Sequence, residues 1–143
     1  MVWDLYDGVR SGVALYFGAP HYFDCEFDSS AGDYTDVFRL WPMDQSLLEL
    51  AAEQWQIYRA WEHRFHSGEV SVETHPGYRG QNARYDEIED LLDRYLNALG
   101  DPAHRVFAQF DAVQDQPELP AGCLREMEVT WRDLRGGGGA CEN

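Results

Sequence analysis

An α+β domain, mainly an antiparallel sheet of about five strands with two helices packed on one face, is the architecture that three observations on this chain predict. Near both ends, at residues 13–27 and 126–131, apolar and polar side chains alternate, which is the period of a strand with one covered face. Between them, at 47–65 and 85–99, apolar residues recur every three or four positions, the period of a helix with one buried stripe. The 143 residues show no internal repeat and no linker, and that length suits one domain with its own core.

The elements follow in the order β-β-β-α-(β)-α-β-β. Val13, Leu15 and Phe17 alternate in one run and Phe23, Cys25 and Phe27 in a second, so the segment predicts a hairpin with one buried face. Asp24, Glu26 and Asp28 then point to the opposite side, about 7 Å apart along the strand. Residues 29–33 are turn-forming, and 36–41 return as a third strand closed by Pro42.

Asp44 is a good N-cap for the first helix, because its carboxylate can accept from the free amides of the first turn. Leu47, Ala51, Trp55, Tyr58 and Phe65 form the stripe, Leu50, Ile57 and Trp61 widen it, and Gly68 is a natural stop. This helix is expected to seal its rings against the apolar side of the sheet. Val70 and Val72 predict a short strand or an extended connector, and the Pro and Gly of residues 74–82 forbid regular structure.

The second helix begins near Asn82, carries Tyr85, Ile88, Leu92, Tyr95 and Leu99 on one face and ends at Gly100. Asp86, Glu87, Glu89 and Asp90 fall in its first two turns, where the helix dipole favours negative charge. Two more strands follow, at 105–113 and 125–131, and in the second Met127, Val129 and Trp131 alternate with Glu126, Glu128 and Thr130. Residues 1–135 are expected to form one globular domain, and the Gly-rich residues 136–143 a disordered tail.

Composition narrows the function. Hydrophobic residues make up 44% and aromatics 14%, too apolar for intrinsic disorder. The 26 carboxylates face 11 basic residues, all arginine, for a formal charge of −15. Phosphate backbones and anionic membrane surfaces are repelled by such a chain, so direct nucleic-acid and membrane partners are not expected. No apolar run reaches the length of a membrane span, and residues 1–10 lack the basic start and apolar core of a signal peptide; the expected location is the cytoplasm. Cys25, Cys123 and Cys141 are odd in number, with neither metal-type nor redox-type spacing. Cys25 stands between Asp24 and Glu26, which raise rather than lower a thiol pKa, so it reads as buried filler.

Candidate chemistry gathers between Trp55 and Gly77, where two tryptophans, a tyrosine, a phenylalanine and three of the five histidines fall together. Glu62, His63 and His66 lie close on one helix end and could hold a divalent transition metal, since imidazole and carboxylate suit such ions. The zincin pattern, with histidines four apart and glutamate directly after the first, is not present. Trp61, His75 and Arg79 could instead meet around a ligand, between the helix end and the loop that follows. No nucleophile elbow, phosphate-cradling loop or dinucleotide fingerprint occurs.

The carboxylates of the strand faces, Asp24, Glu26, Asp28, Glu126 and Glu128, form a candidate surface for a basic protein, because complementary charge speeds and selects association. The first functional expectation is therefore a non-enzymatic, acidic cytoplasmic interaction protein, inhibitor- or immunity-like, with a basic protein partner and no cofactor. The alternative is a small metal-dependent enzyme or ligand-binding domain with a His-rich site near the end of the first helix. Oligomeric state is not predicted.

Overall fold

A tight turn at Phe17 and Gly18, both with positive φ (49° and 75°), reverses the chain with the twist a two-residue hairpin needs, and it sets the register of a long antiparallel meander. The computed structural model describes residues 1–135, 141 and 142. Strands β1 (Val2–Leu5), β2 (Val9–Tyr16), β3 (Ala19–Asp28) and β4 (Asp33–Pro42) come first. Helices α1 (Gln45–His66) and α2 (Ala83–Asn97) follow, then β5 (His104–Ala112), β6 (Met127–Asp133) and β7 (Cys141–Glu142). All seven strands form one antiparallel sheet in chain order. The helical excursion leaves β4 and returns to its neighbour β5, where Phe38 pairs with Val106.

The α+β class and its two helices match the sequence reading; the sheet has more strands than the five expected. The pair of residues in β7 belongs to the segment expected to be a disordered tail, of which residues 136–140 and 143 lie outside the described residues. Short β1 enters through the turn at Asp7 and Gly8, both with positive φ. Val70 and Val72 make no strand: the chain there forms a 3-10 turn, Val72–Thr74. Helix α2 stops at Asn97 rather than Gly100, with Ala98 as its cap.

The sheet curls until strands four places apart in its order meet. Trp131 on β6 donates its indole N–H to the carbonyl of Leu15 on β2 at 2.7 Å. Inside the curl lie Phe23, Leu40 and Trp131, essentially without solvent exposure, beside Cys25, Phe38, Val106 and Val129. Each such large side chain contributes roughly 1.5–3 kcal/mol of burial free energy. Gly12 pairs with Phe23, and a Cβ there would stand 2.1 Å from the Met1 carbonyl oxygen and 2.9 Å from the Phe23 ring, so the close approach needs glycine.

That register corrects the expected faces of the hairpin. Gly12, Ala14 and Tyr16 face the curl, so Leu15 and Phe17 are 44% and 67% exposed. A bulge between Cys25 and Phe27 turns Phe27 outward as well, to 55% exposure. Cys25 is buried as expected; its Sγ meets the Thr35 carbonyl at 3.1 Å, and burial pushes its thiol pKa up.

A second core joins the sheet's other face to the helices through Val13, Met43, Ala51, Ile88 and Leu92, flanked by Trp3 and Tyr22. Asp44 caps α1 by accepting from the Leu47 amide at 2.8 Å, and Asn82 caps α2 through the Tyr85 amide at 2.9 Å. Tyr95 donates to the Pro42 carbonyl and Trp41 to that of Gly100, both at 2.9 Å, which pins α2 to the end of β4. Arg84 grips Glu53 with two bonds, at 2.6 and 2.8 Å, and so links α2 to α1.

The expected seal of α1's rings against the sheet is not what forms. The fully covered side chains of α1 are Ala51, Gln54 and Glu62, whereas Trp55, Tyr58, Trp61 and Phe65 are half-buried along its flank. The curl fills itself from its own strands, which leaves the helix rings free to build something else.

Candidate functional site

Three- and four-residue spacing places neighbouring rings one above another on a helix, and on α1 it makes a ladder. Trp55 meets Tyr58 at 5.8 Å between centroids, Tyr58 meets Trp61 at 6.2 Å, and Trp61 stacks on Phe65 at 5.0 Å and 11°. The loop after α1 folds back onto this ladder. Thr74 accepts the Trp61 indole N–H at 2.9 Å, and the His75 ring packs edge-on to Trp61 at 4.4 Å and against Tyr58 at 5.8 Å.

On the sheet side of the ladder lies a cleft of about 560 Å³, within the usual range for small-molecule sites. Its α1 wall is Gln54, Trp55, Tyr58, Glu62 and His66. Helix α2 faces it with Tyr85, Glu89, Leu92 and Asp93, β1 contributes Trp3, and His75, Gly122 and Leu124 complete the rim.

Glu62 sits at the inner end, 4% exposed. Its Oε1 accepts from Arg59 at 2.6 Å, and its Oε2 accepts the Leu124 amide at 3.0 Å and the Tyr58 hydroxyl at 3.3 Å. A carboxylate can stay buried only with such partners. Arg59 also reaches Glu126 at 3.6 Å and lies over the Trp55 ring at 5.5 Å. Burial, together with the neighbouring negative charge of Glu62, pushes the Tyr58 phenol up to about 12. With both oxygens engaged, Glu62 is an anchor that ties α1 to the β5–β6 connection rather than a free proton acceptor.

The imidazoles differ in role. His75 Nδ1 accepts the Gly77 amide at 2.9 Å and burial lowers its pKa, so the neutral ring carries its proton on Nε2 as a donor. His66 lies edge-on to Phe65 at 5.1 Å, and its Nδ1 would be only 2.6 Å from a Cβ on Gly122. Gln54 is 9% exposed, and its side-chain amide has no hydrogen-bond partner among the described residues. Glu89 and Asp93, one turn apart, have no ion-pair partner there either. Burial first, and the Asp93 charge second, raise the pKa of Glu89.

The residues singled out from sequence are thus divided. Glu62, His66 and His75 line one cleft, and Trp61 backs His75 from behind. His63 is exposed and outside it. Arg79 points away to Asp90, at 2.6 Å. Among the described residues no group of three or more His, Cys, Asp or Glu is gathered to hold a metal ion.

On the strand faces, Asp24 pairs with Arg39 and Glu26 takes a two-bond grip from Arg105 at 2.6 and 2.8 Å. Asp28 is spent on its own turn, accepting from the Ser30 amide and hydroxyl. Glu126 is exposed beside Arg59, and Glu128 is exposed directly opposite Asp111.

Sequence reasoning missed Trp3, Gln54, Tyr85 and Asp93 and read Glu89 only as a dipole partner. Two signals were there to be used. Gln54 and Glu62 interrupt the apolar stripe of α1 eight residues apart, and Asp7-Gly8 after Val2, Trp3, Leu5 and Tyr6 marks the hairpin that delivers Trp3.

Comparison of the chain with protein-family models, curated proteins and solved structures finds no match.

Proposed function

We propose that this chain is a small ligand-binding domain whose site is the cleft between β1, α1 and α2. The observation that carries the reading is Gln54, a residue 9% exposed that lines the cleft and whose amide has no hydrogen-bond partner among the described residues. The unpartnered polar atoms that are fully covered among the described residues belong to Arg39 and Asp86, so the Gln54 amide opens on the cleft and can exchange water for a ligand's polar atom. Aromatic walls with a few convergent polar groups are the usual make-up of such sites. Binding rather than catalysis fits the arrangement, since the buried carboxylate is already saturated.

A screen of small neutral, anionic and cationic fragments, followed in amide and indole NMR spectra, tests this. Hits are expected to shift the Trp3 and Trp55 indoles together with the Leu124 amide. A screen in which no fragment moves these signals overturns the reading.

A second reading, an acidic surface for a basic protein partner, rests on strand register. Asp28 stands opposite Asp33 and Asp111 opposite Glu128, and like charges directly opposed cost stability unless something else neutralises them. Asp24 and Glu26, already paired with arginines, contribute less to this surface. Capture from lysate at low and high salt, with wild type and with Asp111→Asn/Glu128→Gln, tests it: salt-sensitive retention of one protein that the variant loses supports it, and equal retention by both sinks it.

A further inference from the structure

The walls of the cleft name a class of ligand. Three carboxylates, Glu62, Glu89 and Asp93, line it and no arginine does. Arg59 offsets Glu62, whereas the α2 pair has no ion-pair partner among the described residues. Arg79, the guanidinium that acts on Glu89, is bound to Asp90. Like charges at four-residue spacing on a helix repel, so Glu89 and Asp93 give the α2 side of the cleft a negative potential that Arg79, bonded to Asp90, only partly offsets.

Trp3 of β1 and Trp55 and Tyr58 of α1 line the same cleft, and Tyr85 stands one turn before Glu89 on α2. The negative face of an aromatic ring attracts a cation within about 6 Å of its centroid, most strongly where water is displaced. Trp55 already does this with Arg59 at 5.5 Å. Rings and carboxylates together recognise an ammonium group better than either does alone, while an anion meets repulsion and a neutral ligand gains nothing from the charge.

We propose that the cleft binds a small organic cation, an alkylated or primary ammonium compound, with the ammonium held between the aromatic rings of β1 and α1 and the Glu89–Asp93 pair of α2. The proposal rests on the reading of the cleft as a ligand site and adds the sign of the ligand's charge. Gln54 supplies hydrogen bonding for a polar group elsewhere on the ligand, and neutral His75 adds a donor without adding charge.

Calorimetric titration with choline and with its neutral isostere 3,3-dimethylbutan-1-ol tests the charge directly. Choline is expected to bind about tenfold more tightly, the order of one desolvated cation–π contact. In Glu89→Gln/Asp93→Asn that preference should fall at least threefold, with binding of the isostere unchanged. Asp93→Asn alone, at an exposed position, gives the same comparison should the double variant fold poorly. Equal affinities for the two compounds, or a choline preference unaltered in both variants, overturn the cation proposal and leave the ligand site standing. Absence of binding by choline while neutral or anionic fragments occupy the cleft overturns it likewise, and absence of any ligand in the cleft removes both.

Discussion

The carboxylate of Glu62 accepts the backbone N–H of Leu124 at 3.0 Å across 62 positions of sequence. Through this bond the last turns of α1 and the β5–β6 connection become one wall, and the cleft acquires its inner end.

Removing that carboxylate takes the acceptor from three donors, one of them the Tyr58 hydroxyl. The Leu124 amide loses its acceptor, and the half-buried guanidinium of Arg59 keeps only the longer contact to Glu126 at 3.6 Å. Glu62→Ala is expected to cost roughly 3–5 kcal/mol, as for other broken buried pairs, and Glu62→Gln, which keeps an acceptor, to cost less. Urea unfolding at neutral pH measures both. A loss under about 1 kcal/mol for the alanine variant, the range of an exposed pair, contradicts the anchoring role.

Gly122 holds φ +96°, and a Cβ there would meet His66 Nδ1 at 2.6 Å. Gly122→Ala is therefore expected to cost about 1–3 kcal/mol in backbone strain and to displace the His66 ring. Thermal unfolding reads the first effect and the His66 imidazole resonances the second. Unchanged resonances would show that the ring does not rest on Gly122.

His75 gives stability a pH dependence of known sign. Burial lowers its folded-state pKa below the ordinary 6.5, so just below that pH the unfolded chain binds the proton and the folded chain does not. Stability then rises with pH across this window and is lost as pH falls below about 6.5. The depressed carboxylates Glu26, Asp28, Asp44, Glu53, Glu73 and Asp90 act in the same sense only below their own unfolded values, near pH 4. His75→Gln should flatten the melting temperature between about pH 7 and pH 5.5 relative to wild type; parallel curves contradict a partly buried neutral imidazole.

Glu89 behaves in the opposite way. Its raised pKa means that the folded chain holds the proton more tightly, so its favourable contribution is present below its unfolded pKa and is lost as pH rises through the folded value. Glu89→Gln is expected to stabilise the unliganded protein at neutral pH by roughly 0.2–0.5 kcal/mol, the size of a relieved like-charge helix pair, with no gain near pH 4. Equal stability at neutral pH would mean that Glu89 and Asp93 are already neutralised.

These effects show which parts of the molecule were legible in its sequence. The helices were, because Asp44 and Asn82 announce their starts and the apolar spacing their buried sides. The strands after α2 and the third strand were, through alternation closed by Pro and Gly. Strand faces were not: Phe27 looks buried by parity, and only the bulge after Cys25 turns it outward. The curl was invisible as well, since it depends on Trp131 reaching Leu15 across the sheet, a contact between residues 116 positions apart. For the same reason Glu62 and His66 could be placed near each other on one helix, while Trp3, Tyr85 and Asp93 come from elements whose approach no local pattern encodes.

The central claim is that the cleft is a site for a small organic cation, and diffraction from crystals soaked in choline tests it most directly. The account predicts an ordered ammonium group between the Trp55 and Tyr58 rings and the Glu89 and Asp93 carboxylates, with the choline hydroxyl toward the Gln54 amide. A cleft that holds only water, or that closes by collapse of Trp3 and Tyr85 onto Gln54, would contradict it.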